Sequence, residues 1–262
     1  MAHLFRITIL LSLCAATSAP FDATEPMPSS SVTEAFQVQI GESREVWTLE
    51  WKSQPEPYCP PAEDSLMCPC SGFAYGQRGK LHLIRATGQH AIETLDLGQF
   101  FGTDGLAVLQ QWDVADDRVD NYIGHPDFAE RVRNRPTVKV ARLQDYNHDG
   151  MATKFFLQTD VAPCGNILGV VVGVSAKNPH LHALGTIRNP DKPLVMQKRE
   201  WDAVLASSGE TTVVDWPCGD HGSEEQTELT LRIKDGAISV ESRDYTCKDN
   251  GTRGTLLRSR ER

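Results

Sequence analysis

TELTLRIKDGAISVES, residues 227–242, decides the fold class. Leu229, Leu231 and Ile233 alternate with polar residues, Asp235-Gly236 follows, and Ile238 and Val240 alternate on the return. Period-two alternation sends successive side chains to opposite faces. Asp-Gly supplies the positive φ angles of a two-residue hairpin turn. The stretch therefore predicts two antiparallel strands. Working outward, REVWTLEWK (44–52) places Trp47, Leu49 and Trp51 on one face and Val46, Thr48 and Glu50 on the other. KLHLIRATGQHAIETLDL (80–97) reads as two strands joined at Thr87-Gly88. ILGVVVGVS (167–175) is continuously apolar, the pattern of a central strand buried on both faces.

Helix signals are few. PDFAERVRN starts at Pro126-Asp127 and is stopped by Pro136, and QKREWDAVLASS (197–208) is stopped by Gly209. No fixed-period repeat supports a propeller or solenoid. The chain is expected to be mainly β, with antiparallel sandwich-like or meander sheets, one or two short helices and disulfide staples.

The first residues address the compartment. MAHLFR is a short basic lead-in, ITILLSLCAA an apolar run of signal-core length, and the small residues of ATSA permit cleavage after Ala16 or Ala19. The run is too short to cross a bilayer as a helix, and no later segment approaches that length. Leu13 stands where a lipobox takes a small residue, so a lipoprotein anchored at Cys14 is the less favoured outcome. The expectation is a secreted or periplasmic protein.

That compartment suits the cysteines. Cys59, Cys68, Cys70, Cys164, Cys218 and Cys247 remain after export, an even set with 15 conceivable pairings. Cys68-Pro69-Cys70 could close a strained, reducible ring, or each sulfur could bond elsewhere from an extended segment. A zinc knuckle with Cys218 or His221 lacks the paired CxxC spacing of ordinary zinc sites. Structural disulfides are the favoured reading.

Boundaries follow composition: a signal peptide at 1–19, a Pro- and Ser-rich leader at 20–33, an N-terminal β unit with the CPC cluster at 34–113, a connecting segment with a short helix at 114–135, a second β unit at 136–247 and a basic tail at 248–262. The tail gathers Arg253, Arg258, Arg260 and Arg262, a charge run expected to be a solvated, frayed end. The whole chain carries a formal charge of −9, and removing residues 1–19 takes away Arg6 alone among the charged residues. An acidic surface argues against nucleic acid or an anionic membrane as partner.

The densest chemistry is LQDYNHDGMATKFFLQ (143–158). Asp145, Asn147, Asp149 and Gly150 read D-x-N-x-D-G, the spacing that turns alternate oxygens inward around a hard cation. The Met151 carbonyl falls at position 7 and the Thr153 hydroxyl at position 9, whereas position 12 is Phe156 instead of a bidentate Glu. The flanks VKVARLQ and KFFLQT look like strands. In that respect the loop resembles the calcium loops of FG-GAP and VCBS-type extracellular β repeats, over about ten residues. The resemblance implies a structural calcium locking a hairpin, in the weak range of about 10⁻⁴–10⁻³ M. The bland alternative is an Asx-rich turn with no metal.

Two further clusters are weaker. VVDWPCGDHGSEE (213–225) gathers Asp215, Asp220, His221, Ser223, Glu224 and Glu225, and reads first as a Gly-punctuated surface loop anchored by Trp216 and a disulfide at Cys218. His180 and His182 share one strand face and would ligate zinc with Asp220 and His221 if those converge. Asn250-Gly251-Thr252 matches a glycosylation sequon and also an ordinary turn. The sequence therefore favours a non-enzymatic, calcium-stabilised binding or structural module, whose partner would be another extracytoplasmic protein or a cell-surface component. The competing class is a metal-dependent hydrolase built on His180, His182, Asp220 and His221.

Overall fold

The computed structural model describes residues 32–58, 73, 76–110, 139–162 and 166–262. Cys59, Cys68, Cys70, Cys164, the signal peptide and the helix expected at 126–134 lie outside the described residues.

Alternation builds the first sheet. β1 (Val32–Ile40) and β2 (Ser43–Trp51) form a hairpin, and after β3 (Glu56–Tyr58) and β4 (Gly76–Gly79) the chain adds β5 (Leu81–Thr87) and β6 (His90–Asp96), giving the antiparallel order β1-β2-β5-β6. The register sets Leu49 opposite Leu83 and Trp51 opposite Leu81, so the predicted face of Trp47, Leu49 and Trp51 is buried together with Leu81 and Leu83. β7 (Ala107–Gln110) joins β3 and β4 in a small side sheet.

The apolar run at 167–175 becomes the middle of the molecule. β8 (Lys154–Ala162) pairs antiparallel along β9 (Asn166–Gly173), and the short β10 (His182–Ala183) and β11 (Met196–Gln197) pair the other edge of β9. Phe155, Leu157, Val170 and Val172 pack with the first sheet, whereas Val171 and the half-buried Phe156 pack into a second core. A strand between two cores has no polar face, which is why this run shows no alternation. Gly169 is required here, because a Cβ would stand 2.5 Å from the Phe156 ring.

The second core is closed by helix α1 (Lys198–Ala206) and the meander β12 (Glu210–Trp216), β13 (Glu225–Lys234), β14 (Ala237–Cys247) and β15 (Arg253–Glu261). Trp201 and Val204 of the helix meet Leu229, Leu231, Ile238 and Val240. The 235–236 turn has φ of 51° at Asp235 and 74° at Gly236, the paired left-handed residues of the predicted hairpin. A disulfide between Cys218 and Cys247 ties the β12–β13 connection to the end of β14. It spans a sequence separation of 29, and closing a loop of that order is worth about 3–4 kcal/mol by chain entropy.

Two expectations are corrected. The 248–262 segment is not a frayed end: most of it is β15, paired along β14. Its arginines hold it there. Asp244, 1 % exposed, accepts hydrogen bonds from Arg258 and Arg260, and Arg253 Nη1 lies 2.7 Å from Glu228. The segment before the acidic loop is also not a strand over its described residues 139–144. It makes one bridge, Gln144 to Lys154, because the N–H groups of Val140 and Ala141 donate to the Glu34 carboxylate instead.

Candidate functional site: an acidic loop closed on a lysine

Residues 145–153 sit where the helix, the β8–β9 layer and the β13–β14 turn meet. The even-numbered side chains point one way. Tyr146 stacks edge-on to Trp201 at 6.0 Å, and His148 donates from Nε2 to the Val204 carbonyl at 2.9 Å near the end of α1. Burial, with Asp202 nearby, pushes the Tyr146 phenol up to about 12. The odd-numbered side chains gather on the other side. Asp145 accepts the N–H groups of Asp149 (3.1 Å) and Gly150 (2.8 Å), folding the loop on itself. Gly150 carries the turn at φ 86°.

At the centre is a cation from the chain itself. Lys154 is 0 % exposed, and its Nζ donates to Asp149 Oδ1 at 2.9 Å and to the Met151 carbonyl at 2.8 Å, with Asp145 Oδ1 at 3.6 Å. These are the oxygens expected at loop positions 5, 7 and 1. Asp149 is the hub, since it also accepts from Met151 N, Asn147 Nδ2 and Ala176 N. Burial works to raise the Asp149 pKa, yet the Lys154 and Ala176 hydrogen bonds hold it below its ordinary 3.8.

The other expected ligands turn elsewhere. Asn147 presents its donor end, to Asp149 Oδ2 at 3.1 Å and to the Gly236 carbonyl at 2.9 Å, and its buried Oδ1 has no hydrogen-bond partner. Thr153 spends its hydroxyl on the Val174 carbonyl at 2.8 Å, bracing the end of the β8–β9 layer. The turns at Asp149-Gly150 and Asp235-Gly236 therefore dock on each other.

The alternative site is not assembled in the same way. His180 is largely exposed, with Nδ1 at 3.5 Å from Glu93, and His182 Nδ1 donates to the His180 carbonyl at 2.7 Å. Glu93 in turn accepts from Leu181 N and lies 3.5 Å from Arg85, which is bound to the buried Glu45. Asp220 opens a short 3₁₀ turn in the β12–β13 connection, and the His221 side chain lies outside the described residues. Among the described residues no three His, Cys, Asp or Glu side chains form a group that could hold a metal ion.

One chemically loaded pair gave no sequence signal. Glu200 of α1, 1 % exposed, accepts from Gln197 N at 2.9 Å through Oε2, its Oε1 is buried without a hydrogen-bond partner, and the Asp215 carboxylate at the end of β12 is close enough to act on it. Burial, then the Asp215 carboxylate, pushes the Glu200 pKa up to about 8. Burial and a neighbouring carboxylate both favour the protonated, neutral form of Glu200. Asp215 also accepts from Gln197 Nε2 at 2.7 Å, and the Arg199 and Arg262 guanidinium groups lie 4.0 and 3.9 Å away.

No protein-family model, no curated protein and no solved structure matches the chain. Among the described residues no helix is long and apolar enough to cross a membrane.

Proposed function

We propose that this chain is a non-enzymatic binding or structural module, exported to the periplasm or the cell exterior, that works with another extracytoplasmic protein or a cell-surface component. The observation that carries this reading is where the densest polar chemistry goes. Asp145, Asn147, Asp149 and Lys154 are spent on one another, on the turn at Gly236 and on Ala176 beyond β9. A hydrogen-bonded cluster of that kind fixes a scaffold and leaves no free acid or base at its centre. An even cysteine set and the signal-like segment at 1–19 support the compartment.

The test has two arms. Cell fractionation with mass spectrometry of the mature N-terminus should find the chain outside the cytoplasm, cleaved after Ala16 or Ala19. Purified protein, assayed with and without added zinc against ester, peptide and phosphate substrates, should show no turnover. Zinc-dependent hydrolysis lost in His182→Ala would overturn the module reading in favour of the hydrolase built on His180, His182, Asp220 and His221.

A further inference from the structure

We propose that the 145–153 loop is a metal-independent clamp in which the Lys154 ammonium takes the place of the calcium ion that its D-x-N-x-D-G spacing would otherwise hold. The proposal stands whatever the module binds, because it concerns only how the loop is neutralised.

Three features of the geometry point this way. The first is distance. Calcium holds its oxygens at 2.3–2.6 Å, whereas an ammonium hydrogen-bonds at about 2.7–2.9 Å. Around Lys154 Nζ the two nearest oxygens stand at 2.8 and 2.9 Å. An ion in contact with Asp149 Oδ1, Met151 O and Asp145 Oδ1 would have to occupy the space that Nζ fills.

The second is number. Calcium takes six to eight oxygens, whereas an ammonium has three protons to donate. Thr153 turns its hydroxyl to Val174, Asn147 turns its amide nitrogen into the cluster, and position 12 is Phe156. What faces Nζ is a set of three oxygens, two within hydrogen-bond distance and Asp145 Oδ1 at 3.6 Å.

The third is charge. Lys154 is fully buried, and a buried ammonium without a counter-ion is strongly destabilising. Displacing it by calcium would strand that charge, because the bridge of Gln144 to Lys154 fixes the backbone from which the side chain reaches the loop. Lysine and acids thus satisfy one another, and a divalent ion has no vacancy to fill.

The experiment is a thermal melt of the intact, disulfide-bonded mature chain and of Lys154→Met, each in EDTA and in 10 mM calcium, with terbium luminescence as a direct binding readout. Wild type should melt within about 1 °C in both conditions and bind no terbium at the loop. Lys154→Met should melt several degrees lower than wild type in EDTA, because Asp149 and Asp145 lose the cation that neutralises them. The wild-type result stands by itself should the variant fail to fold. A wild-type melting temperature that rises in calcium and falls in EDTA, with the response lost in Asp149→Asn, would overturn the proposal. So would a Lys154→Met variant as stable as wild type in EDTA.

Discussion

Glu200 is a carboxyl group with nowhere to put a charge, and its cost should be visible in pH dependence. Its pKa is about 8 in the folded chain against an ordinary 4.5. Between those values the folded state binds a proton that the unfolded state has lost. The contribution of Glu200 is therefore fully present below pH 4.5 and is lost as pH rises toward 8, by at most about 1.4 kcal/mol per pH unit. Glu200→Gln, which holds a neutral amide in the same space, should flatten that slope in urea denaturation followed from pH 5 to pH 8.5. It should also leave the variant more stable than wild type at the upper end. An unchanged slope would mean that another group titrates there. Neither Glu200 nor Lys154 was legible as a site in the sequence, for different reasons. Glu200 meets Asp215 only through the packing of α1 on β12, which no local pattern encodes. Lys154 was in plain view beside the loop, but a search for oxygen ligands does not weigh a cation supplied by the chain itself.

Among elements, the hairpins and the two-faced strand were legible because their signal is local. Alternation at 44–51 and 227–240, the continuous run at 167–174 and the helix at 198–206 each depend on side chains within one turn or one strand. β15 was not legible, since its arginines become strand residues only once Asp244 and Glu228 lie across from them. The docking of two turns was hidden for the same reason, and two glycines measure it. Gly236 and Gly251 have nearly equal φ, 74° and 73°, but a Cβ at Gly236 would meet Asp149 Cβ at 3.1 Å, whereas at Gly251 nothing lies within 4 Å. Both Gly→Ala changes incur the left-handed penalty of roughly 1–2 kcal/mol. Gly236→Ala should cost at least about 1 kcal/mol more, read as the difference in urea midpoint between the two variants. Equal losses would mean that the hairpin turn only rests beside the loop.

Across the whole molecule, the β8–β9 layer decides whether the chain is one cooperative unit or two. Composition suggested a division between units at 34–113 and 136–247, but the faces of β9 serve two cores at once, Val170 and Val172 in one and Val171 in the other. The loop at 145–153 adds a second tie, since it is joined by hydrogen bonds to β8, to Ala176, to the end of α1 and to the turn of the C-terminal meander. Melting either core would strip one face of a shared strand pair and expose the buried Lys154 cluster, so partial unfolding has no stable stopping point. Calorimetry of the oxidised chain should therefore show a single transition. Leu83→Ala in the first core and Leu231→Ala in the second each remove a fully buried side chain, a loss of about 2–5 kcal/mol. At roughly 2–4 °C per kcal/mol for a chain of this size, each should lower the same peak by about 5 °C or more without splitting it. Two peaks, with each variant moving only its own, would show instead that the middle layer separates the cores rather than coupling them.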